Sequence, residues 1–111
     1  MDIESKFWIT KDGIKVFGEG PYLLLQGIKK FGSLSRASKE LNMAYSKAWS
    51  IIKRAEKKLG YNLLESEVGG PGGGGSNLTV EGKKLLDTYR EFSREAEESI
   101  EEIYEKYFMN V

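Results

Sequence analysis

The chain has 111 residues, of which 40% are hydrophobic and 31% charged, and its 17 Lys and Arg are balanced by 17 Asp and Glu. That length suits one domain and leaves little room for two independent cores. Cysteine and histidine are both absent, which removes disulfides, thiolate and imidazole metal sites, cysteine nucleophiles and the side chain that most often moves protons near neutral pH.

The opening residues, MDIESKFWITKDG, mix both charge signs around no apolar stretch of signal-peptide length. No window approaches the roughly 18 apolar residues of a membrane span, so the chain is expected to be soluble and cytoplasmic, with no membrane partner. FWIT and IKVF are β-rich runs on either side of KDG, and Asp12-Gly13 is strong hairpin-turn chemistry, so a small hairpin is predicted over 7–17. GEGP then leads into YLLLQGIKKFG. Pro21 suits the first turn of a helix and Gly32 its stop, with Tyr22, Leu24, Leu25, Ile28 and Phe31 as the buried stripe and Gly27 as a weak point.

SLSRASKELNMAYSKAWSIIKRAEKKLG follows. Ser33 or Ser35 suits the N-cap of a short helix whose inner face is Leu34, Ala37, Ser38 and Leu41, and Asn42 tolerates the left-handed backbone of a tight turn. A second helix is predicted from about Ala44 to Leu59, ended by Gly60. At 100° per residue Ala44, Ala48, Ile51, Ile52, Ala55 and Leu59 share one face, while Ser46, Lys47, Ser50, Lys53, Arg54 and Lys57 share the other. A short helix, a tight turn and a longer helix with a basic, hydroxyl-bearing outer face make a helix-turn-helix over 34–59. Its second helix has the width to enter a DNA major groove, where Lys and Arg reach phosphates or guanine edges and Ser reads at short range.

The charge distribution supports that reading. Basic residues dominate between Lys29 and Lys58, where only Glu40 and Glu56 are acidic, and acidic residues dominate from Glu81 to Lys106. Such asymmetry suits a polyanionic partner at the basic part.

The stretch VGGPGGGGSNLT, Val68 to Thr79, admits three readings: a linker, a phosphate cradle, or the tip of a hairpin. A nucleotide P-loop needs G-x-x-x-x-G-K-[ST], and Gly75 is followed by Ser76 and Asn77. The linker reading fails if Leu63 and Leu64 need Leu78 as a cross-strand neighbour. A hairpin with strands at Leu63–Ser66 and Asn77–Thr79 makes a wing over 63–79, whose glycine tip lets backbone N–H groups approach a nucleic-acid backbone closely.

From Val80 to about Phe108 a helix of about 40 Å is predicted, with Thr79 as N-cap and Gly82 in its first turn. Leu86, Tyr89, Phe92, Ala96, Ile100, Ile103 and Tyr107 step by three or four along one stripe. So long a helix beside so small a domain calls for a second copy of the chain as partner. The chain therefore divides into a DNA-binding domain, 1–79, and a dimerisation helix, 80–111.

Together GSLSRASKELNM, AYSKAW, the glycine-rich GGPGGGGS and LTVEGKKLL resemble the DNA-binding domain of the ModE family of molybdate-responsive transcriptional regulators, and more distantly the LysR-type winged helix-turn-helix. The likeness runs from about Phe17 to Arg90. It implies a mainly α fold with small β-hairpins, a homodimer, recognition helices in successive major grooves, and wings on the flanking backbone. It places Ala44, Tyr45, Ser46 and Lys47 where the family contacts DNA. Trp49 matches the family's Ala-Trp pair and reads as a structural aromatic beside Tyr45. The candidate DNA-binding residues are Ser33, Ser35, Arg36, Ala44, Tyr45, Ser46, Lys47, Ser50, Lys53, Arg54, Gly72, Gly73, Gly74 and Ser76.

The family's wing often carries a basic residue where Pro71 stands. Full-length members also continue into oxyanion-binding domains, and no such site is present in these residues, so no cofactor is expected and molybdate or tungstate sensing is not carried over. The expected function is sequence-specific binding of double-stranded DNA in transcription regulation. A winged-helix protein-interaction or architectural module is the alternative. Enzymatic activity is not expected, because no nucleophile, base and oxyanion donor converge.

Overall fold

The computed structural model describes residues 1–66 and 75–111. The chain opens with a hairpin of β1 (Ile9–Lys11) and β2 (Ile14–Phe17), closed by Asp12 and Gly13 at φ 52° and 76°. Two successive left-handed residues are what a tight hairpin turn demands. Lys11 pairs with Ile14 and Thr10 with Lys15, but Ile9 pairs with Phe17, so Val16 is an extra residue in the ladder. The bulge breaks strict alternation and turns both Val16 and Phe17 inward. Phe7 and Trp8 precede the strand instead of belonging to it.

Helix α1 (Glu19–Phe31) carries Pro21 in its first turn and ends on Gly32 at φ 78°, whose N–H donates to the Ile28 carbonyl. Gly27, a weak point by propensity, has a packing reason. A Cβ there would stand 2.8 Å from Cβ of Ala37, so α1 and α2 (Leu34–Glu40) cross at a small-residue contact. Of the two possible caps it is Ser33 that accepts the Arg36 N–H. Ser35 instead offers its carbonyl to the Ser38 hydroxyl at 2.8 Å. Asn42, at φ 54°, turns the chain into α3 (Tyr45–Leu59), which stops at Gly60.

Strands β3 (Leu64–Ser66) and β4 (Ser76–Leu78) pair antiparallel, with Leu64 opposite Leu78, Glu65 opposite Asn77 and Ser66 opposite Ser76. The Ser76 N–H also donates to the Gly32 carbonyl at 2.9 Å, tying β4 to the end of α1. Leu64 and Leu78 are the cross-strand neighbours that the hairpin reading requires; residues 67–74 between the strands lie outside the described residues. The Thr79 hydroxyl accepts the Gly82 N–H at 2.9 Å and donates to the Asn62 carbonyl at 2.7 Å, starting α4 (Val80–Phe108). A Cβ on Gly82 would collide with the Leu63 carbonyl oxygen. Glycine therefore sets how closely α4 approaches the chain entering β3.

All these elements meet in one core, in which Phe17, Leu24, Leu25, Ile28, Ile52, Leu63 and Leu86 are the largest fully buried side chains. Tyr89 closes it at one end, with Phe17 and Tyr22 at ring-centroid distances of 5.2 and 5.1 Å. The first turns of α4 thus belong to the core, and a division at Thr79 separates residues that share it. Beyond Tyr89 the stripe is only partly covered: Phe92 packs edge-to-face on Phe7 at 5.6 Å, Ala96 and Ile100 are half-buried, and Ile103 and Tyr107 are exposed. Leu86 and Tyr89 face inward, 1% and 7% exposed, and this corrects their place in a dimer interface. The part of the stripe most open to a second chain is at Ile103 and Tyr107.

Candidate nucleic-acid interface

Helix α3 is held from beneath. Ala48, Ile52 and Ala55 are fully buried against the core, and small side chains at two of these positions let the helix sit close to α1 and α2. Ala44 is not part of that face. It is the exposed N-cap residue in extended conformation, because the helical period that would point it inward begins only at Tyr45.

The outer face is laid out as its 100° spacing requires. Tyr45, Ser46, Lys47, Ser50, Lys53 and Arg54 are all exposed, and among the described residues only Lys53 of these is held by an ion pair. Trp49 stands with them, 48% exposed, and Tyr45 is 54% exposed. The indole therefore departs from the structural role expected of it. It lies outside the core and makes no ring contact with Tyr45 among the described residues; instead Lys53 Nζ sits 5.8 Å from its ring centroid. Tyr45, Trp49 and Lys53 are spaced by four, a signal in the sequence that places all three on one exposed line.

Glu56 was also hidden from a face-by-face reading. It is 7% exposed, and its carboxylate accepts the Leu63 N–H at 2.7 Å and the Leu64 N–H at 3.3 Å. Lys53 Nζ lies 3.1 Å from the other oxygen. The buried carboxylate thereby joins the outer helix to the start of the wing hairpin and tethers Lys53, which is less free to reach a ligand than Lys47 or Arg54.

The other candidates flank α3. Ser33, Ser35 and Arg36 open α2; Ser35 and Arg36 are exposed, and the Arg36 guanidinium lies 5.0 Å from the Phe31 ring centroid. The Ser33 oxygen is engaged as the cap. Ser76 lies in the β4 ladder, partly buried. Gly72, Gly73 and Gly74 lie outside the described residues.

Two helices at a tight turn, the second with an open basic face and an antiparallel hairpin beside it, define a winged helix-turn-helix protein. The family described as "Bacterial regulatory helix-turn-helix protein, lysR family" matches residues 24–83, and the chain belongs to that family. It is 36% identical over 73 residues to a molybdenum transport protein, ModE, of Herbaspirillum seropedicae, a match covering 66% of this chain and 27% of the relative. It is 36% identical over 66 residues to the DNA-binding transcriptional dual regulator ModE of Escherichia coli (strain K12), covering 60% of this chain and 25% of the relative. The chain thus spans about a quarter of the length of these curated relatives. Among solved structures, ArgP from Mycobacterium tuberculosis superposes with a TM-score of 0.57 at 21% identity, over 77% of this chain and 30% of that one, a likeness of fold. No helix among the described residues is long and apolar enough to cross a membrane.

Proposed function

We propose that the protein is a homodimeric, cytoplasmic transcription regulator that binds double-stranded DNA sequence-specifically, with α3 in the major groove and the β3–β4 hairpin on the neighbouring backbone. The open outer face of α3 carries this reading. Tyr45, Ser46, Lys47 and Ser50 project together with no competing fold role, and the set offers hydrogen-bonding hydroxyls and a cation at the helix end that enters a groove first. The relatives named as regulators support it. The partly open apolar stripe from Phe92 to Tyr107, most exposed at Ile103 and Tyr107, supports pairing of two α4 helices, which would present two α3 helices to successive grooves.

Selecting bound duplexes from a random pool and titrating the winners against scrambled DNA tests this. A regulator gives a specific-to-nonspecific ratio of about a thousand or more, and a ratio near one overturns the reading. Lys47→Ala separates base from backbone contact. Loss of a base contact costs about 1–3 kcal/mol and relaxes preference at one position, whereas loss of a phosphate contact weakens all sequences alike. Unchanged affinity removes Lys47 from the interface.

A further inference from the structure

The helical period puts different residues on the two flanks of α3. Tyr45, Trp49, Lys53 and Glu56 run along the flank beside β3. Lys47, Ile51, Arg54 and Lys58 run along the opposite flank, and the N-terminal hairpin is built against it. Lys11 Nζ donates to the Lys58 carbonyl at 3.1 Å, fixing β1 to the end of α3. Between the two lies an open groove of about 400 Å³, with Ile51 and Ala55 on one side and Trp8, Val16 and Phe17 on the other. Its rim is cationic. Lys6, Lys15 and Arg54 line it, Lys15 Nζ stands 4.2 Å from the centroid of the Trp8 ring, and Trp8 itself is 47% exposed. Lys6, Lys11, Lys15, Arg54 and Lys57 are all exposed, and none makes an ion pair with a carboxylate among the described residues. The carboxylate lining the groove is Glu19, and Asp12 follows Lys11 in the hairpin turn.

Lys11 and Lys15 have local partners in the Lys58 carbonyl and the Trp8 ring, but neither partner neutralises a charge, and like charges gathered on one flank repel. They suit a polyanion that lies along that flank. We infer that the β1–β2 hairpin is a second wing. On this reading Lys6, Lys11 and Lys15 contact the phosphate backbone on the side of α3 away from the β3–β4 hairpin, and the Trp8 indole holds the Lys15 ammonium in place. The inference rests on α3 being the DNA-reading helix. The contacts are to phosphate, so they add affinity and footprint length without adding sequence preference.

The test compares the full chain with Lys11→Gln/Lys15→Gln on a selected duplex across a salt series. Each lost phosphate contact lowers the slope of log affinity against log salt by about 0.9. The double variant loses two contacts per subunit, so the slope falls by about 1.8 for each bound subunit and about 3.6 for the dimer, and the two affinities converge roughly a hundredfold between about 50 and 200 mM salt. Preference among sequences stays unchanged, and backbone cleavage protection retreats on one flank of each half-site. Lys6→Gln/Lys15→Gln, which keeps the Lys11 bond to α3, repeats the measurement should the first variant fold poorly, and Lys11→Arg/Lys15→Arg restores the slope. A parent that binds duplex DNA with a slope and footprint identical to both Gln variants overturns the second wing and leaves the α3 reading intact. A parent that binds no duplex overturns both.

Discussion

Glu56 is a carboxylate inside a helix face that otherwise buries alanine and isoleucine, and its position makes sense only with the chain that follows α3. It accepts two backbone N–H groups at the entry to the wing, from Leu63 just before β3 and from Leu64, the first residue of β3. Removing it leaves the Leu63 amide buried without an acceptor. Glu56→Ala should therefore destabilise the fold by about 1–3 kcal/mol, read as a lower denaturation midpoint, while Glu56→Gln, which keeps an acceptor, should cost less. Tyr89 makes a second buried polar contact, its O–H donating to the Phe7 carbonyl at 2.6 Å. Burial raises its pKa above the ordinary 10.0, opposed by the Ser93 hydroxyl and assisted by Glu19 and Glu97. The unfolded chain thus gives up this proton at lower pH than the folded one. Its contribution is intact below pH 10 and declines as the pH climbs above that value. Denaturant titrations across alkaline pH should show that decline in the parent and lack it in Tyr89→Phe.

Among the elements, those set by local chemistry were legible in the sequence. Asp12-Gly13, Gly32, Asn42 and Gly60 all adopt the left-handed backbone their residue types favour, and Thr79 caps α4 as its hydroxyl allows. What one helical wheel cannot reveal is which polar residue a neighbouring element will satisfy from outside. Glu56 goes unassigned to either face because its partners lie in the next segment, and Trp49 looked structural because indoles usually find a core. Leu86 and Tyr89 continue the stripe of Phe92 without a break in period. Where the core ends and a free surface begins depends on how far the domain reaches along the helix, and that is a tertiary distance. Gly27 and Gly82 are misread by propensity for the same reason. Gly82→Ala would improve helix propensity by up to about 1 kcal/mol, yet its Cβ meets a backbone oxygen that has no room to give. Thermal unfolding should show net destabilisation of about 1–3 kcal/mol.

For the whole molecule, α4 is the defining dimension: 29 residues, or about 43 Å at 1.5 Å per residue. Ile103, 57% exposed, lies beyond the reach of the chain's own core, so Ile103→Glu should leave the stability of an isolated chain nearly unchanged. In a dimer the same charge would be buried without a partner, at a cost of several kcal/mol. Sedimentation of the variant should thus yield a well-folded monomer. Its affinity for a two-half-site duplex should drop towards that for a single half, since the second contact loses the effective concentration that tethering supplies. An equally dimeric variant would place the interface elsewhere on the helix.

The hydrogen bond from Tyr89 to Phe7 joins residues 82 positions apart, and this bears on how the chain assembles. Contacts between α1, α2 and α3 close short loops and form early, whereas clasping the N-terminal segment to α4 must wait until nearly the whole chain has been gathered. That clasp is therefore absent from the rate-limiting ensemble. Tyr89→Phe should leave the refolding rate almost untouched and appear almost entirely as faster unfolding, with a φ-value near zero. The two ends of the chain act as a latch closed last and opened first, held by the Tyr89 phenol and the Phe7–Phe92 ring contact at the root of the long helix.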